Sequence, residues 1–148
     1  MSILVTGGTG FIGSHAIVEL LNQGHGVVAF DNLSNSKSLV VDRIQSIAGK
    51  AFDFIEGDIR DAELLKHLFS KYSICAVMHF AGLKAVGESV SNPLSYYDNN
   101  IAGSLTLYKA MAEAQVFNLV FSSSATVYGE PEQIPIDETR PTGAVTNP

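Results

Sequence analysis

The 148-residue chain is 46% hydrophobic, 16% charged and carries a formal net charge of −6. That is apolar side chain enough for one core, and the acidic balance speaks against nucleic acid as a macromolecular partner. No apolar run approaches the roughly 20 residues of a membrane helix and the start has no basic leader, so a soluble, cytoplasmic chain without a membrane partner is expected.

The apolar run Ile3-Leu4-Val5 reads as a first strand and is followed by Thr6-Gly7-Gly8-Thr9-Gly10-Phe11-Ile12-Gly13. Helical spacing then runs over 11–22, with Ile12, Ala16, Ile17, Leu20 and Leu21 as the inward stripe and Gly24 as its end. A strand passing through glycines into a helix suits a dinucleotide pyrophosphate. The helix start offers unpaired N–H groups, and Gly7, Gly10 and Gly13 let backbone and phosphate approach closely. A second strand, 26–30, delivers Asp31 eighteen residues beyond Gly13, near the spacing at which a carboxylate meets the adenosine ribose hydroxyls. A carboxylate there repels a 2′-phosphate, which favours NAD over NADP. Asn32, Leu33, Ser34, Asn35 and Ser36 form a polar loop suited to the same ribose and adenine edge, and Lys37 is the one residue there that favours a 2′-phosphate.

Helical spacing resumes over 38–48, with Leu39, Val40, Ile44 and Ile47 on one face. A third strand, 52–56, ends in Gly57-Asp58-Ile59-Arg60-Asp61. Strand ends of a parallel sheet face the ligand crevice, which puts Asp58 and Ile59 near the adenine, while Asp61 suits the cap of a helix over 62–72. The strand 74–80 is nearly continuous apolar residues, as for a strand buried on both faces, and it carries Cys75 as a packed thiol and His79 as a satisfied core histidine. Four histidines without ligand spacing predict no metal site. Phe80, Ala81, Gly82, Leu83 and Lys84 leave the strand end beneath a bound cofactor; Lys84 either pairs with a phosphate or is solvated.

Residues 85–92 read as a polar connection, and Asn92-Pro93 opens a long helix over 93–115. Its apolar stripe is Leu94, Tyr97, Ile101, Leu105, Tyr108 and Met111, interrupted by Asn99 and Asn100, amides that need partners if they face the core. A fifth strand, 117–121, leads into Ser122-Ser123-Ser124-Ala125-Thr126-Val127-Tyr128-Gly129, and from Glu130 the chain is proline-punctuated loop. Strands alternating with helices predict an α/β, doubly wound parallel sheet of Rossmann type, order 3-2-1-4-5, with 1–148 as one incomplete NAD-binding domain.

The glycine stretch, Asp31-Asn32-Leu33, Gly57-Asp58-Ile59-Arg60, 79–89, Tyr96-Tyr97-Asp98-Asn99-Asn100 and 122–129 together resemble the extended short-chain dehydrogenase/reductase superfamily and, within it, the UDP-glucose 4-epimerase family. The resemblance implies a tightly held NAD that takes hydride from C4 of UDP-glucose or UDP-galactose and returns it to the other face. It implies that Phe11, Ile12, Asp31, Asn32, Leu33, Ser34, Asn35, Ser36, Asp58, Ile59, Phe80, Ala81, Gly82, Leu83, Lys84 and Asn99 line the NAD. Ser124 would hydrogen-bond the reacting 4-hydroxyl, with Thr126 near the sugar, and the intact protein would be a homodimer. The family's base is a tyrosine followed four residues on by lysine, after a segment matching 142–148, so these 148 residues are expected to be inactive alone. Two alternatives stand beside this. A nucleotide-sugar 4,6-dehydratase would need carboxylates where the chain has Ser124-Ala125-Thr126, and a non-catalytic NAD-binding module would have no need of Ser124.

Overall fold

A computed structural model describes residues 1–130 and 133–143. Five strands, β1 (Ser2–Thr6), β2 (Gly26–Asp31), β3 (Asp53–Glu56), β4 (Ile74–His79) and β5 (Leu119–Phe121), form one parallel sheet in the order β3-β2-β1-β4-β5, as the sequence predicted. The register pairs Thr6 with Phe30 on one side and with His79 on the other, and His79 with Phe121. The carboxyl ends of the strands therefore line up along a single edge. The order reverses between β1 and β4, and a crevice opens there because the two following connections leave in opposite directions.

Side chains alternate across the strands and build two cores. Leu4, Val28, Phe30 and Val77 face α3 (Ala62–Lys71) and α6 (Gly103–Glu113), where Leu65, Leu68, Leu107 and Met111 meet them. Val5, Val27 and Ala29 face α1 (Phe11–Asn22) and α2 (Leu39–Ala48), against Ile17, Leu21 and Ile44. Asp61 caps α3 by accepting from the Leu64 N–H at 3.0 Å, as expected. Gly49 ends α2 with φ +61°. The inward stripes are narrower than expected: Ile12, Leu39 and Ile47 lie on exposed helix faces.

The segment 85–115 departs most from expectation. The connection contains a short helix, α4 (Val86–Ser91), and the long helix is three pieces: α5 (Pro93–Tyr96), a π-helical turn (Tyr97–Ala102) and α6. Leu94, Tyr97, Ile101 and Leu105 of the predicted apolar stripe point outward, while Met111 is buried. The inward face is Tyr96, Asn99, Gly103, Ser104, Leu107 and Ala110. Small residues dominate it because the helix lies hard against the β3–α3 loop: a Cβ on Gly103 would sit 2.7 Å from Ile59 Cδ1. Cys75 is only half-buried, its Sγ 3.5 Å from the Ser2 carbonyl oxygen. β5, at the sheet edge, is exposed along its length.

His79 is 1% exposed and satisfied at both ring nitrogens, as expected. Ser104 Oγ donates to the Asn100 carbonyl at 2.6 Å, so it must accept from His79 Nε2–H at 2.9 Å. Nδ1 is then the acceptor for Thr6 Oγ1–H at 2.6 Å. Burial lowers the His79 pKa from 6.5 to about 4. Between those values the unfolded chain binds a proton that the fold refuses, so this contribution is complete above pH 6.5 and disappears as pH falls toward 4. Urea unfolding across that window should show a loss of about 3 kcal/mol that His79→Gln does not show.

Candidate functional site

The connection after β1 turns at Gly7, whose φ is +67° and where an added Cβ would lie 2.6 Å from the Ala81 nitrogen. Gly10 N–H returns to the Gly7 carbonyl at 3.1 Å and begins α1. A Cβ on Gly13 would collide with that same carbonyl, so the turn and the first helical turn fit together only as glycine against backbone. No side chain caps α1 and no acid stands in its first turn. Its leading N–H groups and positive dipole end are therefore presented to an anion from outside.

Beside this turn, Asp31 ends β2. Its Oδ2 accepts from Thr9 N–H at 3.0 Å, and its Oδ1 accepts from Leu33 N–H at 2.9 Å and from Ser36 Oγ at 3.4 Å. Thr9 Oγ1 lies 2.6 Å from Ser36 Oγ. One carboxylate thus joins the glycine turn to the 32–36 loop, in which Leu33 takes a left-handed conformation, φ +57°. Thr9, 3% exposed, was not singled out from the sequence; a hydroxyl between two glycines of the turn was the available signal.

A cleft of about 270 Å³ lies over these groups. Gly7, Gly10, Phe11, Asp31, Asn32, Ser34, Asn35, Ser36, Ile59, Phe80, Ala81, Gly82, Leu83 and Asn99 line it, together with Phe30 and Gly57, which the sequence had not marked. Other candidates stand outside its wall. Gly13 packs behind the turn, and Ile12 and Leu33 are not lining residues. Asp58 is engaged by Arg60, which donates Nε to Oδ1 at 2.8 Å and an NH2 proton to Oδ2 at 2.7 Å, and by Asn32 Nδ2 at 2.9 Å. These bonds, the Arg60 guanidinium foremost, hold the Asp58 carboxyl far below the usual carboxylate range. Arg60 also reaches Asp98 at 2.6 Å, so Asp58 braces the Asn32 loop and the π-helical turn against each other.

A second cleft, about 290 Å³, continues from the first and shares Phe80, Ala81, Gly82 and Leu83 as wall. Lys84, Ser122, Ser124 and Thr126 line it, and the largely buried His79, Tyr96 and Ser104 are part of the same lining. Ser124 Oγ accepts from Thr126 N–H at 3.3 Å and lies 2.8 Å from Thr126 Oγ1, which fixes it at the start of a 3₁₀ turn, Ala125–Tyr128. Asn100, a second residue missed as a site former, clamps the shared wall. Its Oδ1 accepts from Leu83 N–H at 2.8 Å and its Nδ2 donates to the Leu83 carbonyl at 2.9 Å. Asn99 Nδ2 donates to the same Oδ1 at 2.9 Å. The π-helical turn, with its extra residue, brings the two adjacent asparagines to the inner face.

Among the described residues no helix is long and apolar enough to cross a membrane, and no cluster of three potential metal ligands occurs.

A glycine turn, an acid at the next strand end and a crevice at the switch point of a 3-2-1-4-5 sheet define a doubly wound domain of the dinucleotide-binding class. Over residues 4–148 the chain matches, and belongs to, the family described as GDP-mannose 4,6 dehydratase. Among curated relatives it is 56% identical over 147 residues to the UDP-glucose 4-epimerase of Neisseria meningitidis serogroup A, covering 99% of this chain and 43% of that protein. It is 57% identical over 148 residues to that of Haemophilus influenzae, covering 100% of this chain and 44% of the relative. The solved UDP-glucose 4-epimerase of Bifidobacterium longum, in complex with NAD+ and UDP, superposes with a TM-score of 0.96 at 49% identity, over 100% of this chain and 44% of that one. That of Stenotrophomonas maltophila, with bound NAD and formylated UDP-arabinopyranose, gives 0.93 at 55% identity, over 99% and 44%. The chain thus spans less than half the length of these relatives and corresponds to their N-terminal part.

The packing around the glycine turn gives a direct test. Gly13→Ala should cost more than about 2 kcal/mol in urea unfolding, since only backbone stands in the way of the new methyl. Gly87→Ala, in a helix with open space around it, should stabilise by up to about 1 kcal/mol.

Proposed function

We propose that this chain is the NAD-holding, N-terminal portion of a UDP-glucose 4-epimerase, a protein that interconverts UDP-glucose and UDP-galactose. The observation that carries this reading is the pair of clefts meeting along Phe80–Leu83, one with Asp31 and the glycine turn, the other with Ser124. The residues present fit NAD: Gly7 and Gly13 let the turn pack against the Phe80–Ala81 backbone and the first turn of α1, where a Cβ would collide, and the uncapped α1 start that this packing holds at the cleft suits the pyrophosphate. Asp31 at the end of β2 would meet the ribose hydroxyls, and Phe11, Ser34, Asn35, Ser36 and Ile59, which line the same cleft, would surround the adenosine. When bound, NAD supplies a reversible hydride acceptor beside the sugar.

The chain's own share of the chemistry is orientation. With Thr126 Oγ1 donating to Ser124 Oγ, the Ser124 proton is available to the sugar 4-hydroxyl. Serine is too weak a base to remove that hydroxyl's proton alone, and no tyrosine in the 148 residues has a lysine four positions on. Proton transfer belongs to the longer protein. Eliminating water from the sugar would need an acid and a base near C5 and C6, and the absence of carboxylates at 124–126 favours epimerisation over 4,6-dehydration. A homodimeric assembly, galactose metabolism and a cytoplasmic setting, where nicotinamide cofactors and sugar nucleotides circulate, complete the proposal. The exposed stripe of Leu94 (77%), Tyr97 (48%), Ile101 (52%) and Leu105 (52%) supports the pairing of subunits.

By titration calorimetry the chain should bind NAD in preference to NADP, and Asp31→Ala should weaken NAD at least tenfold while narrowing that preference. These 148 residues should not interconvert UDP-galactose and UDP-glucose. A chain continued to the relatives' full length, with a Tyr-x-x-x-Lys pair and the nucleotide-sugar domain, should, and Ser124→Ala in it should lower kcat about 100-fold; activity in the 148 residues alone, or none in the full-length chain, overturns the reading. Ile101→Lys with Leu105→Glu should convert a dimer to monomer in sedimentation velocity.

A further inference from the structure

The second cleft has both a lysine and a nearly buried phenol in its lining. Lys84 is exposed and, among the described residues, has no carboxylate partner; its stem folds back so that Cε lies 4.0 Å from the place a Cβ on Gly82 would occupy. It lines the second cleft directly after the Phe80–Leu83 wall that the two clefts share, on a connection without strand hydrogen bonds. Tyr96 is 2% exposed and belongs to α5, on the far side of that connection. Its hydroxyl accepts from Ala85 N–H at 3.1 Å, and its single proton is shared between the Ala85 carbonyl at 3.0 Å and Glu88 Oε2 at 2.9 Å. One oxygen thus closes on both polar atoms of the residue directly after Lys84, while Asn100 closes on both polar atoms of the residue directly before it. Burial and the Glu88 carboxylate hold the phenol pKa above its ordinary value, which keeps the donating proton in place.

We propose that Tyr96 is a positioning residue for Lys84: its hydroxyl pins the Ala85 backbone so that the ammonium is held in the second cleft beside the wall shared with the first, next to the nicotinamide-riboside half of a bound dinucleotide. A lysine on an unpinned loop would have to be ordered at the moment of binding, and that ordering weakens the bound state. The inference rests on the reading of the clefts as an NAD site, and it assigns a role to a residue that is almost fully buried at the base of the second cleft.

The test uses NAD and ADP as calorimetric probes of the whole chain; ADP carries the adenosine and two phosphates without the nicotinamide riboside. Tyr96→Phe keeps the ring and removes only the hydroxyl. It should weaken NAD about tenfold and leave ADP within twofold, as Lys84→Ala should, and the double variant should be no weaker than either single one. Tyr97→Phe, on the exposed face, should change neither. Equal losses for both probes, or losses that add in the double variant, would show a general structural role and overturn the proposal. Amide hydrogen exchange on the unmodified chain decides the matter if Tyr96→Phe does not fold: the Ala85 N–H should be protected like a strand amide, and exchange at a free-loop rate overturns the clip. If the unmodified chain binds neither probe, the NAD reading falls and takes this inference with it; if it binds both and Tyr96→Phe changes neither, only the positioning role fails.

Discussion

The approach of one backbone to another at the end of β1 sets the geometry of everything around it. Gly7 passes the start of the Phe80–Lys84 connection at a distance no side chain would permit, and Gly13 brings α1 down onto the Gly7 carbonyl. Because β1 lies between β2 and β4, that single tight turn fixes how far apart the Asp31 and Phe80 ends can be, and so the width of the first cleft. Were the turn looser by one methyl group, α1 would lift, its leading N–H groups would move away from the crevice, and the Thr9 N–H would no longer reach Asp31. The anion-binding character of the site is a consequence of packing density, with no positive side chain lining the first cleft.

Around that turn the loops are joined to one another by polar side chains rather than by apolar contacts. Asp31 ties the glycine turn to the 32–36 loop, Asp58 with Arg60 ties the β2 and β3 connections to the π-helical turn, and Asn100 ties that turn to Leu83. Each is a short side chain serving backbone groups that a sheet or helix would otherwise have satisfied. Such ties suit a crevice edge, where an apolar cluster would fill the space a ligand needs. The exposed ion pair between Arg60 and Asp98 adds little stability by itself, and its significance is the geometry it imposes on Asn32.

What the sequence disclosed and what it concealed divide along physical lines. The sheet order, the glycine turn, the Asp61 cap and the core placement of His79 depend on local pattern and on rules of connection, and all could be read directly. The orientation of the helix after Pro93 could not, because both of its faces carry apolar residues. Leu94, Tyr97, Ile101 and Leu105 look like a core stripe until Gly103 and Ser104 are recognised as marking the side of close approach. The π-helical turn hides in the same way: one extra residue shifts every position after it, and only the paired Asn99 and Asn100 hinted that two neighbours shared a face. Thr9 went unnoticed because its side-chain partner lies 27 positions away, and Asn100 was legible as an amide in need of partners while its partner, the Leu83 backbone 17 positions away, was not. Asp58 was visible as an acid at a strand end, but its engagement by an arginine two residues on depends on side-chain conformation, which spacing does not reveal.

The chain of bonds through the core has a direction. Thr6 donates to His79, His79 to Ser104 and Ser104 to the Asn100 carbonyl, so the bond dipoles run head to tail from the centre of the sheet to the helix that holds the cleft wall. Aligned bonds polarise one another, and a disturbance at one end is felt along the whole series. Moving the imidazole proton from Nε2 to Nδ1 would reverse the first link and break the second, while the third, held by a carbonyl that can only accept, stayed as it is. Ser104 would then face a bare nitrogen with no proton to offer. The fold is therefore selective for one tautomer of an almost fully buried residue, and the stiffness of the wall over the crevice is coupled to the position of a single hydrogen atom in the middle of the sheet.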